Sequence, residues 1–291
     1  MRNTDHTKSI GLLVLAALCW SLGGLLIKSI SWPPLAVAGG RGLIAAVFLA
    51  IAGPKLRFTW SRTQILGALA YAACTILFVI ANKLTTAANA ILLQYTAPIY
   101  IALLGAWFLG EPASKADWLT ISAVLAGMAL FFVDQLQLTG LLGNLIAIGS
   151  GVGFAAMTLL LRKQKDTSAL ESIILGNVIA GLIGLPFMLS APLPNARGLG
   201  ALALLGIVQL GISYLLYSKA IKHVTALEAV LIPVIEPILN PIWVLLLVGE
   251  SPSRFALLGG LVVLGSITLR AVVSIRGPGP QPVPLPAQPG V

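Results

Sequence analysis

Apolar positions run through this chain in long unbroken blocks, not in the two-residue alternation of a surface strand. The blocks cover roughly 10–29, 34–53, 63–82, 85–109, 116–133, 140–161, 169–190, 199–221, 225–248 and 254–275. Each is near the ~20 residues that a helix needs to cross hydrocarbon. Short polar segments separate them, among them SWPP, NKLTT, GEPASKAD, RKQKDTSALES and GESPS. The alternating pattern of a membrane barrel is absent. The pattern therefore predicts an all-α integral membrane protein with ten transmembrane helices, because in lipid a helix satisfies its own backbone.

Composition sharpens this picture. Only 9% of the 291 residues are charged and 58% are hydrophobic, with a mean hydropathy of +0.98. A soluble domain carries about 25% charge, so most of the surface of this chain must meet the lipid bilayer. The net charge of +9 is not a nucleic-acid signal, since no basic patch with interleaved aromatics occurs. It follows membrane topology instead. With the N-terminus in the cytoplasm, thirteen Lys and Arg fall on inner segments and four on outer ones, and Arg41 lies within a span. Both termini are then expected inside a bacterial inner membrane. The apolar run after Lys8 is too long for a signal peptide and serves as the first span. Cys19 and Cys74 sit in apolar runs and offer neither a disulfide framework nor a metal spacing.

The chain repeats itself. Shifted by 139 residues, the stretch from Gly67 to Ser114 lies on Gly206 to Ser253 without a gap. Pro98 meets Pro237, Gly110-Glu111 meets Gly249-Glu250, Ser114 meets Ser253, Thr86-Ala87 meets Thr225-Ala226, and Phe78 meets Tyr217. The expected organisation is a cytoplasmic tail (1–9), a first repeat of five spans (10–135), a second (136–275) and a disordered Pro-rich tail (276–291). Five is odd, so the second repeat enters the membrane from the opposite side. Two inverted five-helix repeats are a common transporter architecture, with the substrate near mid-membrane between them.

Candidate chemistry gathers around the prolines. Pro98 and Pro237 stand near the middle of spans four and nine, where each removes an amide donor and disturbs the carbonyl four residues earlier, at Gln94 and Pro233. Glu236 precedes Pro237, and an intramembrane carboxylate marks a functional site by default; it can bind a substrate ammonium or carry a proton. Asn240 and Trp243 follow on the same helical face. Gln94 and Tyr95 precede the other proline. Trp20, Tyr71, Phe78, Tyr214 and Tyr217 offer an aromatic lining for a small-molecule substrate. Arg41, in GGRGL, can pair a substrate carboxylate, but a structural role beside close-packed Gly39, Gly40 and Gly42 is favoured. Glu111 and Glu250 are expected to tether helix ends. His6 and His223 have no partner at metal or triad spacing, and no nucleotide motif is present. No cofactor, metal or catalytic group is expected, which disfavours an enzyme; a channel or receptor is the other alternative.

Ten spans, two halves and a Pro-centred fourth helix ending in Gly110-Glu111, repeated at Gly249-Glu250, resemble the drug/metabolite transporter superfamily in its EamA branch. Within that branch the chain is most similar to bacterial YddG-type exporters. The resemblance implies monomeric, alternating-access efflux of aromatic or other neutral amino acids. The halves differ where Ala97 stands for Glu236 and where Trp107 stands for Leu246.

Overall fold

The computed structural model describes residues 2–134, 140–167, 169–239 and 253–276. Asn240, Trp243, Gly249, Glu250 and the segment 277–291 lie outside these residues. The described residues form helices and turns, with no strand among them. In chain order the helices are α1 (Arg2–Trp20), α2 (Gly23–Ser29), α3 (Pro34–Ala52), α4 (Arg62–Leu84), α5 (Ala87–Gln94), α6 (Ala97–Leu109) and α7 (Lys115–Phe131). Then come α8 (Leu141–Lys163), α9 (Ala169–Ser190), α10 (Ala196–Leu204), a π-helical stretch (Leu205–Ile212) and α11 (Ser213–Ala220). The last are α12 (Ala226–Leu231), a 3-10 turn (Ile232–Val234), a helical run at 235–239, and α13 (Arg254–Arg276).

Eight helical segments among the described residues are long and apolar enough to cross a membrane. They are Thr4–Ser29, Pro34–Ala52, Arg62–Leu84, Ala87–Leu109, Leu141–Lys163, Ala169–Ser190, Ala196–Ala220 and Arg254–Val273. The outer surface of these segments is apolar: Trp107 is 83% exposed, Ile51 80% and Leu261 68%. That surface suits hydrocarbon and would be costly in water.

The polar segments between the apolar blocks act as helix caps. Ser61, Thr86, Ser114, Asn195 and Thr225 each accept a hydrogen bond from the backbone N–H three residues on. Each satisfies an amide that the helix start leaves open. The repeat register reappears here as geometry. Thr86 and Thr225 cap α5 and α12; Ser114 caps α7, and the Ser253 hydroxyl accepts from Ala256 N at the start of α13. Gly110 ends α6 at φ 69°, a left-handed backbone that glycine adopts without strain.

The first span departs from the expected unbroken block in two ways. Its helix begins at Arg2, so residues expected as a tail extend the helix. It also breaks at Ser21–Leu22, where the Ser21 hydroxyl donates to the Leu18 carbonyl at 2.7 Å. Span four breaks at Tyr95–Thr96, directly after Gln94, whose carbonyl Pro98 was expected to free; Pro98 sits in the first turn of α6. Span nine tightens to 3-10 winding at Ile232–Val234, next to Glu236.

Helices pack closest through glycine. A Cβ added at Gly39 of α3 would stand 2.7 Å from the Gly184 Cα of α9 and 3.2 Å from the Ala180 carbonyl oxygen. Gly151 of α8 makes room for the break in span four: a Cβ there would meet the Gln94 carbonyl oxygen at 2.8 Å. Gly39→Val should therefore force α3 from α9 and cost about 1–3 kcal/mol. A lower thermal unfolding midpoint in detergent is the expected readout. Gly265→Ala, where a Cβ meets nothing within 4 Å, should leave the midpoint unchanged.

Candidate functional site

The irregular stretches of four helical segments meet in one place. Trp20 ends α1 just before its break, and Gln94 ends α5 just before the next. Gln209 and Leu210 lie in the π-helical stretch, and Glu236 follows the 3-10 turn. With Arg41 of α3, Thr75 and Phe78 of α4, Phe154 of α8 and Tyr214 of α11, they line one small cavity.

Arg41 sits inside the protein, with 1% of its surface exposed. One terminal nitrogen donates to Gln209 Oε1 at 3.1 Å and the other to the Thr75 carbonyl oxygen at 3.0 Å. The π-winding explains how Gln209 reaches it. One extra residue per turn re-aims side chains, and such bulges recur at functional sites. Glycines on the same face allow close approach: a Cβ at Gly206 would meet Ile44 and the Arg41 carbonyl, and one at Gly23 would meet Gln209 Nε2 at 3.1 Å.

The Tyr95 hydroxyl stands 2.8 Å from a Glu236 carboxyl oxygen and 2.8 Å from the Pro233 carbonyl oxygen. A hydroxyl has one proton to give. Both contacts are full hydrogen bonds only when Glu236 itself holds a proton and donates to Tyr95; otherwise the acceptor that Tyr95 does not serve has room for another donor. The other break is also satisfied locally. The Thr96 hydroxyl donates to the Leu93 carbonyl at 2.7 Å, and Gln94 Nε2 donates to Ser150 Oγ at 2.8 Å.

Trp20, Phe78, Gln94, Tyr214 and Glu236 therefore line the cavity as the sequence suggests. Tyr71 and Tyr217 are in the same aromatic cluster but behind it. Tyr71 packs edge-on against Tyr214 with ring centres 4.8 Å apart and bonds Asn177; Tyr217 bonds Thr158 at 2.9 Å. Tyr95 acts through its hydroxyl on Glu236. Asn240 and Trp243 lie outside the described residues. Arg41 holds the Thr75 carbonyl, in keeping with the structural role favoured for it, with Gly39 and Gly42 packed tightly against α9, and it also borders the cavity. Thr75, Phe154, Gln209 and Leu210 carried no sequence signal. A polar Gln within an apolar block was the one available hint at Gln209.

Glu111 lies away from the cavity. It accepts from Arg162 Nε at 2.8 Å and, through its other oxygen, from Ala226 N at 2.8 Å, so it ties α6 to α8 and caps α12. His6 pairs with Glu228 at 3.3 Å and Arg270 with Asp117 at 2.6 Å. Among the described residues no group of His, Cys, Asp and Glu could hold a metal ion.

The EamA-like transporter family model matches this chain twice, over residues 7–133 and 141–271. The chain is 25% identical over 276 residues to the uncharacterized transporter YwfM of Bacillus subtilis (strain 168), covering 89% of this chain and 92% of that one. It is 30% identical over 210 residues to the uncharacterized transporter YdfC of the same organism, covering 70% and 68%. A solved crystal structure has the same fold, with a TM-score of 0.80 at 20% identity, over 93% of this chain and 99% of that chain. The chain belongs to the EamA-like transporter family. It is a multi-pass membrane transporter.

Removing the Gln209 side chain tests how the buried guanidinium is held. Gln209→Leu leaves a charged donor without its acceptor and should cost about 1.5–3 kcal/mol, seen as a lower unfolding midpoint. Thr75→Val, which keeps the backbone acceptor, should not reproduce that loss.

Proposed function

We propose that this transporter is a secondary exporter in a bacterial inner membrane. It moves aromatic or other neutral amino acids, or related small metabolites, by alternating access, as the resemblance to YddG-type exporters suggests. The observation that carries the reading is the cavity: a guanidinium at Arg41, a carboxylate at Glu236 and aromatic rings between them, at the level where the helices are irregular. Transporter sites use interrupted helices in this way, because freed backbone groups are tolerated where they line a cavity.

The architecture proposed for it is ten spans in two inverted five-helix repeats, each of which folds as a domain. Support comes from the two family matches, 7–133 and 141–271, and from the 139-residue register kept by the caps. The 17-residue α7 and the helical stretch at 226–239 are read as belonging to the two remaining spans. Arg41 then lies in the first repeat and Glu236 in the second. Both termini are cytoplasmic by the distribution of Lys and Arg. The transporter works as a monomer and uses no cofactor.

Glu236 links substrate to a proton. Its free acceptor capacity beside Tyr95 is filled by a proton when the cavity is empty or by an ammonium group when it is loaded. The two compete for one carboxylate, so outward movement of substrate can be exchanged for inward movement of a proton.

The test uses the full chain in proteoliposomes with a panel of labelled amino acids. Saturable uptake and counterflow are expected; linear, non-saturating flux without counterflow would make the protein a channel. Glu236→Gln should retain exchange at saturating substrate and lose accumulation driven by a pH gradient. If its pH dependence matches that of the parent protein, Glu236 is not the proton carrier.

A further inference from the structure

We infer that the cavity is a two-point receptor for an α-amino acid zwitterion: Arg41 Nε and Trp20 Nε1 take the carboxylate, and Glu236 takes the ammonium. This rests on the amino-acid reading above and assigns each charge of the substrate to named atoms.

The argument starts from unpartnered donors. Arg41 spends its two terminal nitrogens on neutral oxygens, Gln209 Oε1 and the Thr75 carbonyl, and its Nε–H has no acceptor among the described residues. Trp20 Nε1–H is likewise buried without an acceptor among them. Both side chains line the cavity and are more than nine-tenths buried, at 1% and 5% exposure. Two buried N–H donors on residues that line one cavity, one of them on a cation, ask for an anionic acceptor with more than one lone pair. A carboxylate meets that need. A buried polar group left unpaired is costly, so the vacancy on these donors is itself a selection for such a ligand.

The charges make the same point. The ion pairs among the described residues are His6–Glu228, Arg162–Glu111 and Arg270–Asp117. Arg41 and Glu236 belong to none of them, although they line the same cavity. Each is an intramembrane charge without a counter-ion among the described residues, and such residues mark substrate paths. Tyr95 occupies only part of the Glu236 acceptor capacity. A carboxylic acid would neutralise Arg41 alone and an amine Glu236 alone. A zwitterion satisfies both. Phe78, Phe154, Leu210 and Tyr214 complete the wall, which suits an uncharged side chain.

Specificity should follow these atoms. Full-length protein in proteoliposomes is assayed for counterflow of labelled L-phenylalanine and L-leucine, with unlabelled analogues as competitors. Phenylalanine should compete strongly. Its methyl ester, which lacks the carboxylate charge, and 3-phenylpropionate, which lacks the ammonium, should each compete on the order of 100-fold less well, because each leaves a buried polar partner unfilled. Trp20→Phe removes one N–H and keeps an aromatic ring; it should weaken phenylalanine about 10-fold and leave the ester unchanged. Arg41→Lys should raise the apparent KM for phenylalanine and leave the ester unchanged. If either analogue competes within about threefold of phenylalanine, or if Trp20→Phe shifts ester and parent alike, the receptor is overturned and the amino-acid reading stands. If neither amino acid shows counterflow, both fall.

Discussion

Hydrocarbon offers no partner to a polar atom, so each donor and acceptor in the interior of this protein must find one on the chain itself. Arg41 is the strongest case. A guanidinium 1% exposed among apolar helices holds α3, α4 and the π-helical stretch together, because Gln209 and the Thr75 carbonyl must both stay within reach of it. That demand accounts for local features that would otherwise be defects. The winding of Leu205–Ile212 turns Gln209 toward α3. Gly23 and Gly206 leave room for the resulting close approach.

The polar groups fall into two populations with different work. At the helix ends several are paired: Glu111 with Arg162 and the α12 amide, Asp117 with Arg270 and Ser114, Glu171 with the Arg57 amide at 2.7 Å. These bonds help fix where helices start and stop, while Gln64 Nε2 and the Asn82 amide, near the two ends of α4, are buried without a partner among the described residues. At the cavity the pairing is incomplete as well. Arg41 Nε and Trp20 Nε1 have no acceptor among the described residues, and Glu236 shares one hydroxyl with the Pro233 carbonyl. Unpaired groups beside a cavity are where free energy remains for a ligand.

The same contrast appears in the backbone. Winding is regular where α3 and α9 pack through Gly39 and Gly184. It lapses at Ser21–Leu22, Tyr95–Thr96, Leu205–Ile212 and Ile232–Val234, and each lapse adjoins a cavity residue: Trp20, Gln94, Gln209 and Glu236. Irregular backbone needs local partners or cavity water in a membrane. Thr96 and Ser21 supply such partners with their hydroxyls, each bonding a carbonyl three residues earlier.

Much of this was written into the order of the residues. The width of the hydrocarbon layer sets a length for each apolar block, and eight of the ten expected blocks recur as long apolar helical segments among the described residues. Thr86, Ser114 and Thr225 stood out in the sequence as matches of the repeat, and the structure shows them, with Ser61 and Asn195, to be helix caps. Proline cannot donate, so Pro98 and Pro237 pointed to the breaks, and a carboxylate inside an apolar block singled out Glu236. What the order of residues did not carry was the inward face of each helix. Lipid and protein interior are both apolar, so no periodicity separates them. For that reason Tyr71 and Tyr217 looked equivalent to Tyr214, and Phe154 looked like any other apolar residue. On sequence alone a packing role was favoured for Arg41 over a substrate role, and it does hold the Thr75 carbonyl. Only the packing of α3 against α4 and the π-helical stretch brought it to the cavity that Glu236 also lines.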